Sequence, residues 1–195
     1  MNGKKLQIIG NLLILGGLFI LVFTFWPVAK QEANYETRKI FNVKPKDLTP
    51  PNTDFSIVIP KIAAVAPIID NVDSQDPKNY LPALYRGVAH AKGTAYPGQI
   101  GNTYLFAHST DAFYNVGRYN AVFYLIGKLE NGDEIDVWYK GQKIKYEVYE
   151  KRVVDANASQ YLGSVGPGST LTLQTCYPPG TTIKRLVVLA KVVNN

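Results

Sequence analysis

The chain has 195 residues and a formal net charge of +6, a length that accommodates one domain and a smaller segment. Most of the charge lies at the start, because residues 1–44 hold six Lys/Arg and two Asp/Glu. Residues 45–195 are nearly balanced and lack the basic stripe that nucleic-acid binding requires. The single cysteine excludes an internal disulfide, so the fold must be stable without one.

An apolar run from Leu6 to Trp26 predicts a transmembrane anchor. At about 1.5 Å per residue, a helix of this length spans roughly 30 Å, the thickness of a bilayer core. Lys4 and Lys5 precede it, so residues 1–5 are expected in the cytoplasm and the remainder outside the cell. The alternative is a cleaved signal peptide, but this apolar run is too long, and Pro27–Lys30 is a poor match to a cleavage site.

Residues 27–54 are predicted to form an extracellular stalk, with a short helix over Glu32–Phe41 and a semi-rigid Pro50–Pro51 segment near its end. From residue 55 the pattern changes to short strands separated by turns. A helix is predicted from Asp76 to about Leu84, because Asp76 suits an N-cap and the following proline suits the first helical position. The predicted strands cover 56–60, 64–69, 102–107, 133–139, 143–149, 170–176 and 185–193, and residues 121–126 form a strand or a helical turn.

Two of these segments carry additional information. Pro67 indicates that the second strand is an edge strand or a bulged one, because proline cannot donate a ladder hydrogen bond. The strands on either side of Lys140–Gln142 form a hairpin, since charged and apolar residues alternate along the second arm. About eight short strands with few helices predict an all-β domain over residues 55–195, either a small closed barrel or a sandwich.

The residues with the clearest chemical potential lie at strand ends. Cys176 ends one predicted strand, Arg185 begins the next, and His108 follows another apolar run. A cysteine attacks a carbonyl as the thiolate, and it needs a proton donor for the leaving amine and donors for the oxyanion. A histidine suits the proton transfer, and an arginine, always charged and with a rigid fork of donors, suits a carbonyl or an oxyanion.

The run Thr170–Cys176 (TLTLQTC), followed by Arg185 at the start of the next strand, resembles the sortase family of membrane-anchored cysteine transpeptidases. Leu105–His108 resembles the strand-end histidine of that family, and the resemblance covers roughly residues 55–193. It implies a closed eight-stranded sortase-type β-barrel with short helices, preceded by an N-terminal transmembrane helix. The short loop after Cys176 resembles that of compact housekeeping-like sortases or of classes D and E more than that of the pilin type with a sheltering lid.

The resemblance also implies roles and partners. Cys176 is the expected nucleophile that forms an acyl-thioester, His108 the general acid and then base, and Arg185 the substrate clamp and oxyanion stabiliser. Thr175 is expected to bind substrate by positioning the oxyanion. The implied substrates are secreted proteins with a C-terminal sorting signal of the LPxTG type, and the implied acceptor is an amine of a peptidoglycan precursor or a pilin lysine. The chemistry needs no cofactor, and no metal site is expected.

Two other functions stay open at this point. The domain is a cysteine endopeptidase that releases its substrate to water, or it is a catalytically silent, membrane-anchored binding module in which Cys176 is buried and inert. The second histidine, His90, falls in a predicted linker and is assigned a structural or substrate-groove role.

Overall fold

The computed structural model describes residues 3–41, 48–109, 122–163 and 165–193. It begins with helix α1 (Gly3–Ile40), which continues without a break through the first part of the predicted stalk. The segment Gly3–Phe23 has a mean hydropathy of 2.4, and none of it is buried. By length and composition it is the one helix within the described residues that is able to cross a membrane.

The last third of α1 packs against the β domain. Tyr35 is 7% exposed and belongs to the main apolar core. Lys128 of the β domain places its Nζ 2.5 Å from Oε1 of Glu32 and 3.5 Å from Oε1 of Glu36. The hydrogen bond to Glu32 raises the pKa of the Lys128 ammonium group, so this side chain stays charged at neutral pH. Apolar and ionic contacts together hold α1 on the domain.

The domain is a closed barrel of eight strands in the order β1-β2-β3-β4-β7-β8-β6-β5. Neighbours are antiparallel except for β2 with β3 and β4 with β7, which are parallel. Closure confirms the expected barrel and excludes the sandwich. The strands are β1 (Phe55–Ile59), β2 (Ala64–Val72), β3 (Val88–Ala91), β4 (Gly101–Phe106), β5 (Glu134–Tyr139), β6 (Gln142–Asp155), β7 (Ser169–Tyr177) and β8 (Lys184–Val192).

The predicted hairpin and the predicted helix are both confirmed. Strands β5 and β6 pair from Tyr139 with Gln142 onward, and both residues of the turn, Lys140 and Gly141, have positive φ of 49° and 80°. Positive φ at both central positions is the geometry of the tight turn that best matches strand twist. Helix α2 (Pro77–Arg86) begins as expected, because the side chain of Asp76 accepts a hydrogen bond from the backbone of Lys78.

One detail differs from the sequence prediction, and two open alternatives are decided. Residues 124–128 form a 3₁₀ helix, so the helical turn and not the strand is the outcome for 121–126, although Ala121 of that prediction lies outside the described residues. The eighth strand is instead β3, in the predicted linker, where all four residues are buried and no alternation marks them. Strand β2 is bulged between Ile69 and Val72 but is not an edge, because it pairs on both sides.

The entry into β3 depends on a close backbone approach. A Cβ placed on Gly87 would lie 2.2 Å from the carbonyl oxygen of Pro67, well inside any real contact distance. Glycine is therefore required at position 87, where the chain passes from α2 into β3 and lies against the backbone of β2. This approach lets β3 pair in parallel with β2 from Ile68 onward.

Different groups of residues pack against the inner and outer faces of the barrel wall. Side chains that point inward fill the lumen, and those of β4, β7 and β8 include Leu105, Leu173 and Val188. Side chains that point outward from the same strands pack beneath α2 and a 3₁₀ helix at Ser159–Tyr161, and they include Phe106 and Val187. Alternation along each strand therefore assigns every residue of β7 to the lumen or to the covered outer face.

Candidate active site

Cys176 and Arg185 are direct partners across the antiparallel pair β7 and β8. Residues paired in this way project from the same face, with Cβ atoms about 4.5–5.5 Å apart. Leu173 and Thr175 alternate toward the lumen, so Cys176 belongs to the outer face. Its thiol is free and partly exposed. The register of two strands thus brings a thiol and a permanent cation together.

His108 follows the end of β4, the other neighbour of β7. Strands β4 and β7 pair in parallel up to Phe106 with Gln174, and the backbone N–H of Ala107 continues the ladder by donating to the carbonyl of Gln174. His108 is half-buried, and its ring lies 6.4 Å from that of Tyr85 in α2, measured between centroids. The three predicted residues therefore stand at the same end of three adjacent strands.

All three residues line one cavity of about 490 Å³, named here the larger cavity. This volume lies within the range of roughly 300–1,000 Å³ that is typical of ligand sites. One wall is α2, with Tyr80 and Leu84, and the opposite wall is the segment 156–162 between β6 and β7. The outer faces of β4 and β7 form the floor. The cavity combines an apolar groove with a thiol, an imidazole and a guanidinium at one end.

Arg185 is held by its own loop. Its Nη1 donates to the carbonyls of Thr182 and Lys184, each at 3.1 Å. A guanidinium has five N–H donors, so these contacts fix the group and leave donors for a ligand. The charge also reaches the cavity floor, where burial raises the pKa of the Tyr104 hydroxyl and the nearby Arg185 partly opposes that rise. Tyr104 stays a neutral donor and bonds Gln174 Oε1.

Thr175 also lines the larger cavity, but its hydroxyl is committed elsewhere. The residue is 3% exposed, and Oγ1 donates to the carbonyl of Ala107 over 2.9 Å. This bond ties the residue before Cys176 to the residue before His108. A direct contact between Thr175 and a substrate stays a prediction.

The wall formed by segment 156–162 rests on a buried polar network that the sequence did not reveal. Asn102 is 4% exposed, and its Nδ2 donates to the carbonyl of Tyr161 over 2.7 Å. Its Oδ1 accepts from the hydroxyls of Thr170 and Thr172. Because buried amides need such partners, the network fixes the segment over β4 and β7. One sequence signal was available: Thr170 and Thr172 lie an even number of residues from Cys176, so all three side chains project from the same face of β7.

His90 lies away from this cavity. It belongs to β3, is 1% exposed, and places Nδ1 2.9 Å from Oδ1 of Asp70. Its Nε2 lies 3.2 Å from the carbonyl of Ala95. Partners at both ring nitrogens and full burial give His90 a structural role in the barrel wall.

Thr175→Val is expected to destabilise the barrel by about 1–3 kcal/mol, because it leaves the buried carbonyl of Ala107 without its hydroxyl partner. Urea unfolding of the full chain in detergent, followed by tryptophan fluorescence, measures the change. Thr182→Val, at an exposed position of the neighbouring loop, serves as the control and should leave the midpoint unchanged. Equal midpoints for both variants would contradict the role assigned to the Thr175 hydroxyl.

Comparison with known proteins agrees with this architecture. A family model described as Sortase domain matches residues 57–193, nearly the whole barrel. Sortase D of Bacillus subtilis (strain 168) is 30% identical over 138 residues, which are 69% of this chain and 61% of that protein. The chain thus spans less than two thirds of the length of that relative. The match is consistent with the predicted resemblance to sortases of classes D and E.

Solved structures give the same result. A Sortase D5 transpeptidase of Clostridium perfringens shares 26% identity at a TM-score of 0.59, over 82% of this chain and 88% of that one. Sortase C-1 from Actinomyces oris shares 28% identity at a TM-score of 0.61, over 86% of this chain and 99% of that one. The chain belongs to the sortase family.

Proposed function

We propose that this protein is a membrane-anchored cysteine transpeptidase that cleaves a C-terminal sorting signal of the LPxTG type and transfers the remaining protein to an amine. The observation that carries the proposal is the convergence of Cys176, His108 and Arg185 on the larger cavity, in a chain of the sortase family. The substrates are secreted proteins with such a signal, and the acceptor is a peptidoglycan-precursor amine or a pilin lysine.

In the first step the thiolate of Cys176 attacks the carbonyl of the substrate threonine. The carbonyl oxygen gains negative charge, and donors fixed before the reaction stabilise it most effectively. Arg185 suits this task because the backbone carbonyls of its own loop already hold its Nη1. His108 gives its proton to the departing amine, so the C–N bond breaks as the thioester forms.

In the second step an amine attacks the thioester and Cys176 leaves as the thiolate. His108, now neutral, takes a proton from the attacking nitrogen and returns to its starting state. Water competes with the amine at this step, and a chain that uses water alone is the endopeptidase alternative. The ratio of transfer product to hydrolysis product separates the two functions.

The groove beside these residues suits a short, mainly apolar peptide. Leu81, Leu84 and Phe106 line it on the side of α2, and Leu162 lines it on the opposite wall. Such side chains complement the leucine and proline of an LPxTG-type signal. The arrangement leads the peptide toward Cys176 with its threonine carbonyl nearest the thiol.

Helix α1 is assigned as the anchor of this enzyme, with 1–5 cytoplasmic, 6–26 in the membrane and 55–195 as the extracellular catalytic barrel. Support comes from the exposed apolar surface of Gly3–Phe23 and from Lys4 and Lys5 before it, which favour a cytoplasmic N-terminus. Residues 27–54 link the anchor to the barrel, and Tyr35 within them is packed on the barrel core. An enzyme held this way meets exported substrates while they are near the membrane.

The full chain in detergent is expected to cleave a fluorogenic LPxTG-type peptide and, with triglycine present, to form the transfer product. Cys176→Ala should abolish both reactions. Arg185→Lys should lower kcat/KM by about 10²–10³, because the lysine keeps the charge but loses the fork of oxyanion donors. The full chain is used because truncation at residue 45 removes the buried Tyr35.

Lys184→Ala is the matched control for Arg185, since it removes an exposed cation one residue away and should leave kcat/KM within twofold. No cleavage across a panel of sorting-signal peptides would contradict the proposal. Cleavage without any triglycine product would instead favour the endopeptidase.

The single cysteine makes the orientation directly testable. Cys176 is partly exposed, so a membrane-impermeant maleimide applied to intact cells should label the chain if the barrel is outside. Cys176→Ser provides the blank, and lysis in detergent provides the total signal. Labelling that occurs only after lysis would contradict the extracellular assignment.

A further inference from the structure

A second cavity of about 290 Å³, named here the smaller cavity, also reaches Cys176. Its walls come from α1, the 3₁₀ helix at residues 124–128 and the loop between β7 and β8. Cys176 and Thr175 line both cavities. Cys176 therefore borders both cavities, and the proposed function assigns the donor peptide to the larger one.

The smaller cavity contains a buried polar group that has no partner among the described residues. Ser109 lines it and is 1% exposed, and within the described part of the chain its Oγ forms no hydrogen bond. A buried hydroxyl is seldom left in this state, because its desolvation is then uncompensated. Since a hydroxyl both donates and accepts, Ser109 is suited to a ligand that carries an N–H group or a carbonyl.

A carboxylate lies on another wall of the same cavity. Glu32 of α1 lines it, and Lys128 contacts Oε1 of Glu32 at 2.5 Å. A carboxylate has two oxygens with about four acceptor positions, so one lysine does not saturate it. Glu32 is about one-third exposed, which leaves it accessible to a cation that enters from solvent.

We propose that the smaller cavity binds the primary amine that resolves the acyl-enzyme, with Glu32 receiving its ammonium group and Ser109 bonding its adjacent amide. This inference rests on the proposed function and names the site of its second substrate. After acylation the larger cavity holds the acyl chain, with Arg185 at the carbonyl oxygen. An incoming nitrogen then needs another route to the carbonyl carbon on Cys176, and the smaller cavity supplies it.

Protons and bonds balance along this route. The ammonium group held at Glu32 loses one proton to water and becomes the nucleophilic amine. Its nitrogen forms a bond to the thioester carbonyl carbon while the C–S bond breaks and the pair of electrons leaves with the sulphur of Cys176. The second proton passes to His108, which restores the thiolate and the imidazolium.

Binding tests the site independently of catalysis. In the full-length Cys176→Ala chain in detergent, saturation-transfer NMR measures the Kd of triglycine, with N-acetyltriglycine as the probe that lacks the ammonium group. Glu32→Gln and Ser109→Ala should each raise the Kd of triglycine at least fivefold. The matched control is Glu36→Gln, because Glu36 contacts the same lysine at 3.5 Å from outside the lining of the cavity. Its Kd should stay within twofold of the parent.

The inference is overturned if triglycine does not bind, if N-acetyltriglycine binds equally well, or if the three variants behave alike. A second experiment uses the chain with Cys176 intact, an LPxTG-type peptide and subsaturating triglycine. Glu32→Gln and Ser109→Ala should lower the ratio of transfer to hydrolysis at least fivefold, and an unchanged ratio overturns the inference. If the parent chain cleaves nothing, the proposed function fails, while the binding measurement still decides whether the cavity takes an amine.

Discussion

The register of β7 against β4 and β8 is the constraint on which the site depends. Cys176 opposite Arg185 and Ala107 bonded to Gln174 place thiol, guanidinium and imidazole at one end of the wall. A slip of one residue would turn Cys176 into the lumen and exchange the faces of the whole strand. Leu171 and Leu173 would leave the lumen, and the buried side chains of Thr170 and Thr172 would enter it without their hydrogen-bond partners, so the slip carries a high free-energy cost. Packing of the lumen thus fixes the register that places Cys176 on the outer face opposite Arg185.

The outer face becomes a site because other segments cover it. Helix α2 closes one side, and Asn102 holds the segment 156–162 on the other through the carbonyl of Tyr161. The groove between them has apolar side chains on both walls and carries the thiol, imidazole and guanidinium at the end where the strands stop. Helix α1 then adds a third wall near Cys176, since Tyr35 packs into the core and Glu32 reaches the smaller cavity. The proposed anchor helix and the end of the barrel that holds Cys176 are in this way parts of one packed structure.

Local patterns in the sequence were sufficient to predict most of the strands and the first turn of α2. Alternation predicted the β5–β6 hairpin, and positions at strand ends predicted Cys176, Arg185 and His108 as candidate site residues. Strand β3 was missed because its four residues are buried on both faces and show no period of two. The walls of the cavities were beyond prediction, because Asn102 and Tyr161 are 59 residues apart and Glu32 and Lys128 are 96 apart. Contacts at such separations leave no periodic signal.

The central claim is that Cys176 carries the acyl group of a cleaved peptide. Intact mass of the full chain, measured within seconds of mixing with an LPxTG-type peptide, tests it most directly. The account predicts an added mass equal to the acyl fragment, located by proteolysis to Cys176 and released by triglycine. A chain that turns over the peptide without any adduct on Cys176, or with the adduct on another residue, would contradict it.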